Sequence, residues 1–169
     1  KIKNTAVELK TIGYAGKLSI GRNLNLFLEK LQKSRYYKNY KVKYIGNDYK
    51  KICNKYKYMV ENFGFKDYLS TLKILNKCEI TLLLYGGEKF ESSTKIFDYM
   101  GLKKPIIAFA NKKKGIGQVD RILKNYPHTF YLSKKINFNI SKVNAKKFSR
   151  KNGLKSLLKI LYEFKDLND

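Results

Sequence analysis

The sequence predicts an α/β protein, a Rossmann-like open parallel sheet of about six strands with helices on both faces. Three observations carry that expectation. Short apolar runs alternate with helix-spaced patterns along most of the chain, the mark of stacked βα units. One run, Glu79 to Tyr85 (EITLLLY), is apolar nearly throughout, as a strand covered by helices on both faces should be. Glycine also closes two of the runs, at Gly16 and Gly46, where a chain leaving a buried strand has to turn.

In order, Thr11 to Gly16 (TIGYAG) reads as the first buried strand. Leu24, Phe27, Leu28 and Leu31 then fall at i, i+3, i+4 and i+7, one face of a helix. Lys41 to Gly46 (KVKYIG) alternates with period two and forms the second strand. Residues 49–58 predict a short helix rich in lysine and tyrosine, and Met59 to Phe65 (MVENFGF) a weaker third strand. Asp67 caps a helix whose apolar face is Leu69, Leu72 and Leu75. After Glu79 to Tyr85 come a loop from Gly86 to Ser93 and a helix from about Thr94 to Leu102. Pro105 to Ala110 (PIIAFA) is the fifth strand, Gly115 to Tyr126 a helix, and His128 to Leu132 (HTFYL) the sixth strand. The tail, residues 150–166, is an amphipathic helix with Leu154, Leu157, Leu158, Leu161 and Phe164 on one stripe.

The 169 residues suit one domain, and 43% hydrophobic content is enough for a core. No apolar run approaches the length of a membrane span. The chain starts at Lys1 and shows no leader pattern, which predicts an excerpt of a longer polypeptide. Cys53 and Cys78 stand 25 residues apart and read as free thiols, while a single histidine argues against a structural zinc site. The formal net charge is +24, from 37 basic and 13 acidic residues, which brings polyanions to mind. Only four of those cations are arginine, however, and the lysines divide 16 to 17 between the halves. Lysine, asparagine, isoleucine and tyrosine make up 77 residues, so much of the charge is compositional background, and no specific nucleic-acid partner is expected.

Open parallel sheets bind ligands outside the carboxyl ends of their strands, so the segments after each strand matter most. Gly16 to Asn23 (GKLSIGRN) places Lys17 and Arg22 where both can face a pyrophosphate, or where both simply lie on a surface turn. It matches neither GxGxxG nor a P-loop. Glu91 to Met100 opens a helix with Ser92, Ser93 and Thr94, adds Lys95, and sets Asp98 three residues on. A carboxylate there can accept hydrogen bonds from vicinal hydroxyls such as those of a ribose; an ordinary cap with a Lys–Asp pair fits equally well. Lys112 to Gly117 (KKKGIG) can close over phosphates or be a plain loop, Glu88 and Glu91 can meet a hydroxylated ligand or solubilise their turn, and His128 lacks a catalytic partner.

Taken in order, TIGYAGKLSIGRNLNLFLEKL, KVKYIGN, MVENFGF, EITLLLY and STKIFDYMGLKKPIIAFA resemble the C-terminal half of family 4 glycosyltransferases, two-domain enzymes of the GT-B architecture. The resemblance runs from about Thr11 to Tyr126, and its most specific piece is KIFDYM followed by KPII. It implies a domain that binds a UDP- or GDP-sugar, with Lys17 and Arg22 on the donor diphosphate. It places Ser93 and Thr94 at a helix start facing that diphosphate, beside Lys95, and Asp98 on the ribose. Phe63, Gly64 and Phe65 would lie beside the base. Asp98 replaces the commoner glutamate, and the family's first acidic position is Phe90, with Glu91 off by one and Glu88 by two as candidates for the sugar contact. The implied reaction is sugar transfer with retention of configuration, without an essential metal or other cofactor. An N-terminal domain would recognise the glycan or lipid-linked acceptor. Family habit adds bacterial surface polysaccharide synthesis and a cytoplasmic location, with peripheral contact to an anionic membrane. Two other readings stay open: a basic module for nucleic acid or anionic lipid, and a sugar-nucleotide epimerase of the same architecture, which would carry more acids and histidines.

Overall fold

The computed structural model describes residues 6–91, 93–111, 117–124, 126, 128–130 and 132. The tail helix expected over 150–166 and the loop at 112–116 lie outside them.

Six parallel strands form one sheet in the order β3-β2-β1-β4-β5-β6. They are β1 (Glu8–Ala15), β2 (Lys41–Ile45), β3 (Val60–Asn62), β4 (Cys78–Tyr85), β5 (Ile106–Ala110) and β6 (Thr129–Phe130). Four helices connect them: α1 (Leu24–Gln32), α2 (Tyr68–Lys77), α3 (Lys95–Gly101) and α4 (Gln118–Lys124). The Rossmann-like parallel sheet read from the sequence is therefore present. Its register sets like beside like, with Ile12 opposite Val42 on one side and Ile80 on the other, and Leu82 opposite Ile107.

Because successive strand residues point to opposite faces, the core has two halves. On one face Phe27, Leu28 and Leu31 of α1 pack with Ile12, Val42, Ile80 and Leu82. On the other, Leu75, Ile96, Met100, Val119 and Leu123 from α2, α3 and α4 pack with Ile45, Leu83 and Ile106. Each of these side chains contributes about 1.5–3 kcal/mol through burial.

The helix starts follow capping chemistry. Asn23 Oδ1 accepts from the backbone N–H groups of Asn25 and Leu26, and Asp67 Oδ1 accepts from Ser70. The expected helix over 49–58 is instead two 3-10 turns, Tyr49–Lys51 and Asn54–Met59, broken at Ile52 and Cys53. Cys53 has extended ψ, and its N–H is spent on the Asn25 side chain, so no helical ladder can pass through it. The third strand is only three residues long, because Asn62 Oδ1 accepts from Gly64 N–H and Gly64 turns the chain with φ +65°. On α2 the apolar face is rotated from the expected one: Leu75 is buried, Leu72 half-buried and Leu69 exposed. Cys53 is exposed and Cys78 buried.

Candidate functional site

β1 and β4 are neighbours in the sheet, yet the chain leaves β1 toward β2 and leaves β4 toward β5. The connections diverge there and open a crevice at the strand ends. A cavity of about 620 Å³ fills it, lined by the ends of β1 and β2, the start of α2 and one side of α3. A second, more open cavity of about 580 Å³ lies along the loop after β1 and the start of α1. Lys17 lines both.

The first cavity gathers Lys17, Phe65, Lys95 and Asp98 from three separate segments, together with Asp48, Tyr68 and Tyr99. Leu72 and Leu75 give it an apolar wall. Lys95 is half-buried, its ammonium 5.3 Å from the centre of the Tyr14 ring. Burial and the Arg22 guanidinium bring its pKa down to about 8. Gly16 makes this placement possible: a Cβ there would lie 2.0 Å from Lys95 Nζ, and its φ of +139° disfavours any side chain. Asp98 takes its hydrogen bond from the Tyr68 hydroxyl, at 2.8 Å. Tyr99 is 1% exposed, and its hydroxyl has no hydrogen-bond partner among the described residues.

The other expected site residues are placed differently. Arg22 lines the second cavity and sits 3.5 Å from Glu91. Glu91 turns its other oxygen inward, accepting from the N–H groups of Gly86 and Gly87 at 2.6 and 3.1 Å, so its carboxylate organises its own loop. Glu88 is exposed, and neither acid lines either cavity. Phe65 reaches the first cavity and is exposed, whereas Phe63 packs into the core with the Lys43 ammonium over its ring, and Gly64 supplies the turn between them. Ser93 and Thr94 line neither cavity, and Thr94 makes no side-chain cap. No group of metal-ligating side chains occurs among the described residues.

Residues outside the sequence expectation hold the Lys17 loop. Asp48 accepts from Leu18 N–H, Tyr14 donates to the Lys17 carbonyl, Lys51 reaches the Leu18 carbonyl, and Asn111 donates to the Ile20 carbonyl. None of these contacts has a local signal, because each joins the loop to a segment read separately or to a side chain within the first strand.

Chemically, the crevice offers three lysines (Lys17, Lys66 and Lys95), three aspartates (Asp48, Asp67 and Asp98) and exposed rings around one pocket, with Arg22 in the adjoining cavity. The sequence matches no protein-family model and no curated protein. Solved structures resemble the fold at low identity. AviGT4, a glycosyltransferase involved in avilamycin A biosynthesis, superposes with a TM-score of 0.57 at 12% identity, over 85% of this chain and 41% of that one. HepE of Anabaena in complex with UDP gives 0.54 at 16%, over 72% and 34%. TarM gives 0.52 at 18%, over 88% and 30%. The chain thus spans less than half the length of each. No helix among the described residues is long and apolar enough to cross a membrane. The architecture is accordingly a Rossmann-like α/β fold, the fold these solved glycosyltransferase structures share over the matched region.

Proposed function

We propose that this chain binds the nucleoside diphosphate portion of a sugar donor and serves as the donor domain of a glycosyltransferase. The observation that carries the reading is the convergence of Lys17, Lys95, Asp98 and Phe65 on one 620 Å³ cavity at the point where the strand order reverses. Lys17 and Lys95 meet the diphosphate, with Arg22 at the rim of the adjoining cavity. Asp98 accepts from the ribose hydroxyls, and Phe65 lies against the base.

In this reading the sugar passes to its acceptor with retention of configuration, and the leaving group is an anionic nucleoside diphosphate. The cations stabilise the charge that builds on the phosphate as the glycosidic bond breaks. A second domain of the whole protein recognises the acceptor, a surface glycan or its lipid-linked precursor. The lysine-rich exterior favours contact with an anionic membrane face.

Calorimetric titration with UDP, GDP, ADP and CMP at moderate salt tests the reading. Saturable, base-selective binding that weakens about tenfold or more in Lys17→Ala and Asp98→Ala, while staying measurable, is the expected result. Weak, equal and steeply salt-dependent binding of all four would overturn it and point to a general polyanion surface.

A further inference from the structure

We infer that Asp48 is a positioning residue of this crevice: its carboxylate fixes the loop after β1 so that Lys17 stands where the two cavities meet. The inference rests on the proposed role of Lys17 at the diphosphate.

The peptide group following Lys17 is held at both ends by side chains. Its carbonyl accepts from the Tyr14 hydroxyl at 3.0 Å, and its N–H, that of Leu18, donates to Asp48 Oδ2 at 2.9 Å. The next carbonyl, of Leu18, accepts from Lys51 Nζ at 3.2 Å, and Lys51 is paired with Asp48 Oδ1 at 2.7 Å. Asp48 is itself anchored, since its N–H donates to the Tyr44 hydroxyl at 2.9 Å and Tyr44 stacks beside Tyr14. Lys17, an exposed side chain on a loop, therefore projects from a backbone with almost no freedom to move.

The arrangement also explains a carboxylate in the wall of an anion cavity. A bare aspartate there would repel a phosphate. Here the Lys51 ammonium and the Leu18 N–H hold its pKa below the ordinary carboxylate value, and they occupy both of its oxygens. The charge is turned away from ligand and into the loop. A cation held in place before binding spends less of its interaction on ordering.

The test is calorimetric titration of UDP into the chain and into Asp48→Ala, Asp48→Asn, Lys17→Ala and the Asp48→Ala/Lys17→Ala double variant, with amide exchange followed at Leu18. Asp48→Ala is expected to weaken UDP about tenfold. Asp48→Asn should recover most of that, because its amide oxygen still accepts from Leu18. In the Lys17→Ala background, removing Asp48 should change affinity by less than about twofold, since the two act through one contact. Exchange at Leu18 should quicken in Asp48→Ala and stay slow in Asp48→Asn. An Asp48→Ala loss that persists undiminished without Lys17 would mean that Asp48 touches ligand directly and would overturn the proposal, as would unchanged Leu18 exchange. Failure of the unsubstituted chain to bind any nucleotide would instead overturn the donor-site reading, and with it the role of Lys17.

Discussion

The Tyr68 hydroxyl donates to Oδ1 of Asp98 across 2.8 Å, joining the start of α2 to the middle of α3 over 30 residues of sequence. Both side chains line the same cavity, so the carboxylate is aimed before any ligand arrives. One oxygen accepts from the phenol, and the proposed donor site assigns the other to a ribose hydroxyl.

Tyr68→Phe keeps the ring and removes that aim. Nucleotide affinity should fall about three- to tenfold, the range for one ordinary hydrogen bond acting through the carboxylate's aim. Asp98→Ala should lose more. Calorimetry on the two variants checks the order.

Lys95 sets the pH response. Its pKa, lowered to about 8 by burial and by Arg22, means that the free site loses this charge as pH rises through 8. A bound diphosphate favours the ammonium, so affinity should fall from pH 7 to 9 and binding should take up a proton near pH 8. A terminal phosphate titrates near pH 6, below this window. Titration in two buffers of different ionisation enthalpy reads the proton directly, and Lys95→Gln should abolish the uptake. For the fold the sign is opposite: the unfolded chain binds the proton more tightly between pH 8 and the ordinary lysine range, so stability gains from this group as pH rises across that interval.

Gly16→Ala tests the space around the same ammonium. A methyl group would stand 2.0 Å from Lys95 Nζ, and the residue would keep a φ of +139°. Displacing the lysine and holding that backbone should cost roughly 1–3 kcal/mol, read as a lower thermal midpoint, and should weaken nucleotide binding as well.

Asn23→Ala removes the cap that accepts from Asn25 and Leu26 directly after Arg22. A loss of about 1 kcal/mol in chemical denaturation is expected. Asn23→Asp should retain most of the stability, because the carboxylate accepts the same two N–H groups.

The strands were legible because periodicity is local: TIGYAG, KVKYIG and EITLLLY carry their burial in adjacent letters. Asp67 announced its helix for the same reason. The stretch at 49–58 misled because its tyrosines and lysines fit a helix, while what breaks it is a hydrogen bond from Cys53 to Asn25, 28 positions away. Tyr68 and Asp48 escaped on the same ground, since their partners Asp98 and Leu18 lie 30 residues off. Glu91 could be noticed as an acid in a loop, but only folding shows its oxygens turned onto Gly86 and Gly87.

The two thiols differ in a way that has a practical use. Cys78 is buried at the start of β4 with its pKa pushed up to about 11 by burial, whereas Cys53 is exposed beside the turn that carries Lys51. Burial and a raised pKa both disfavour reaction at Cys78. A maleimide dye should therefore label this chain once, at Cys53, without mutagenesis, giving a fluorescent reporter on the segment that braces the Lys17 loop.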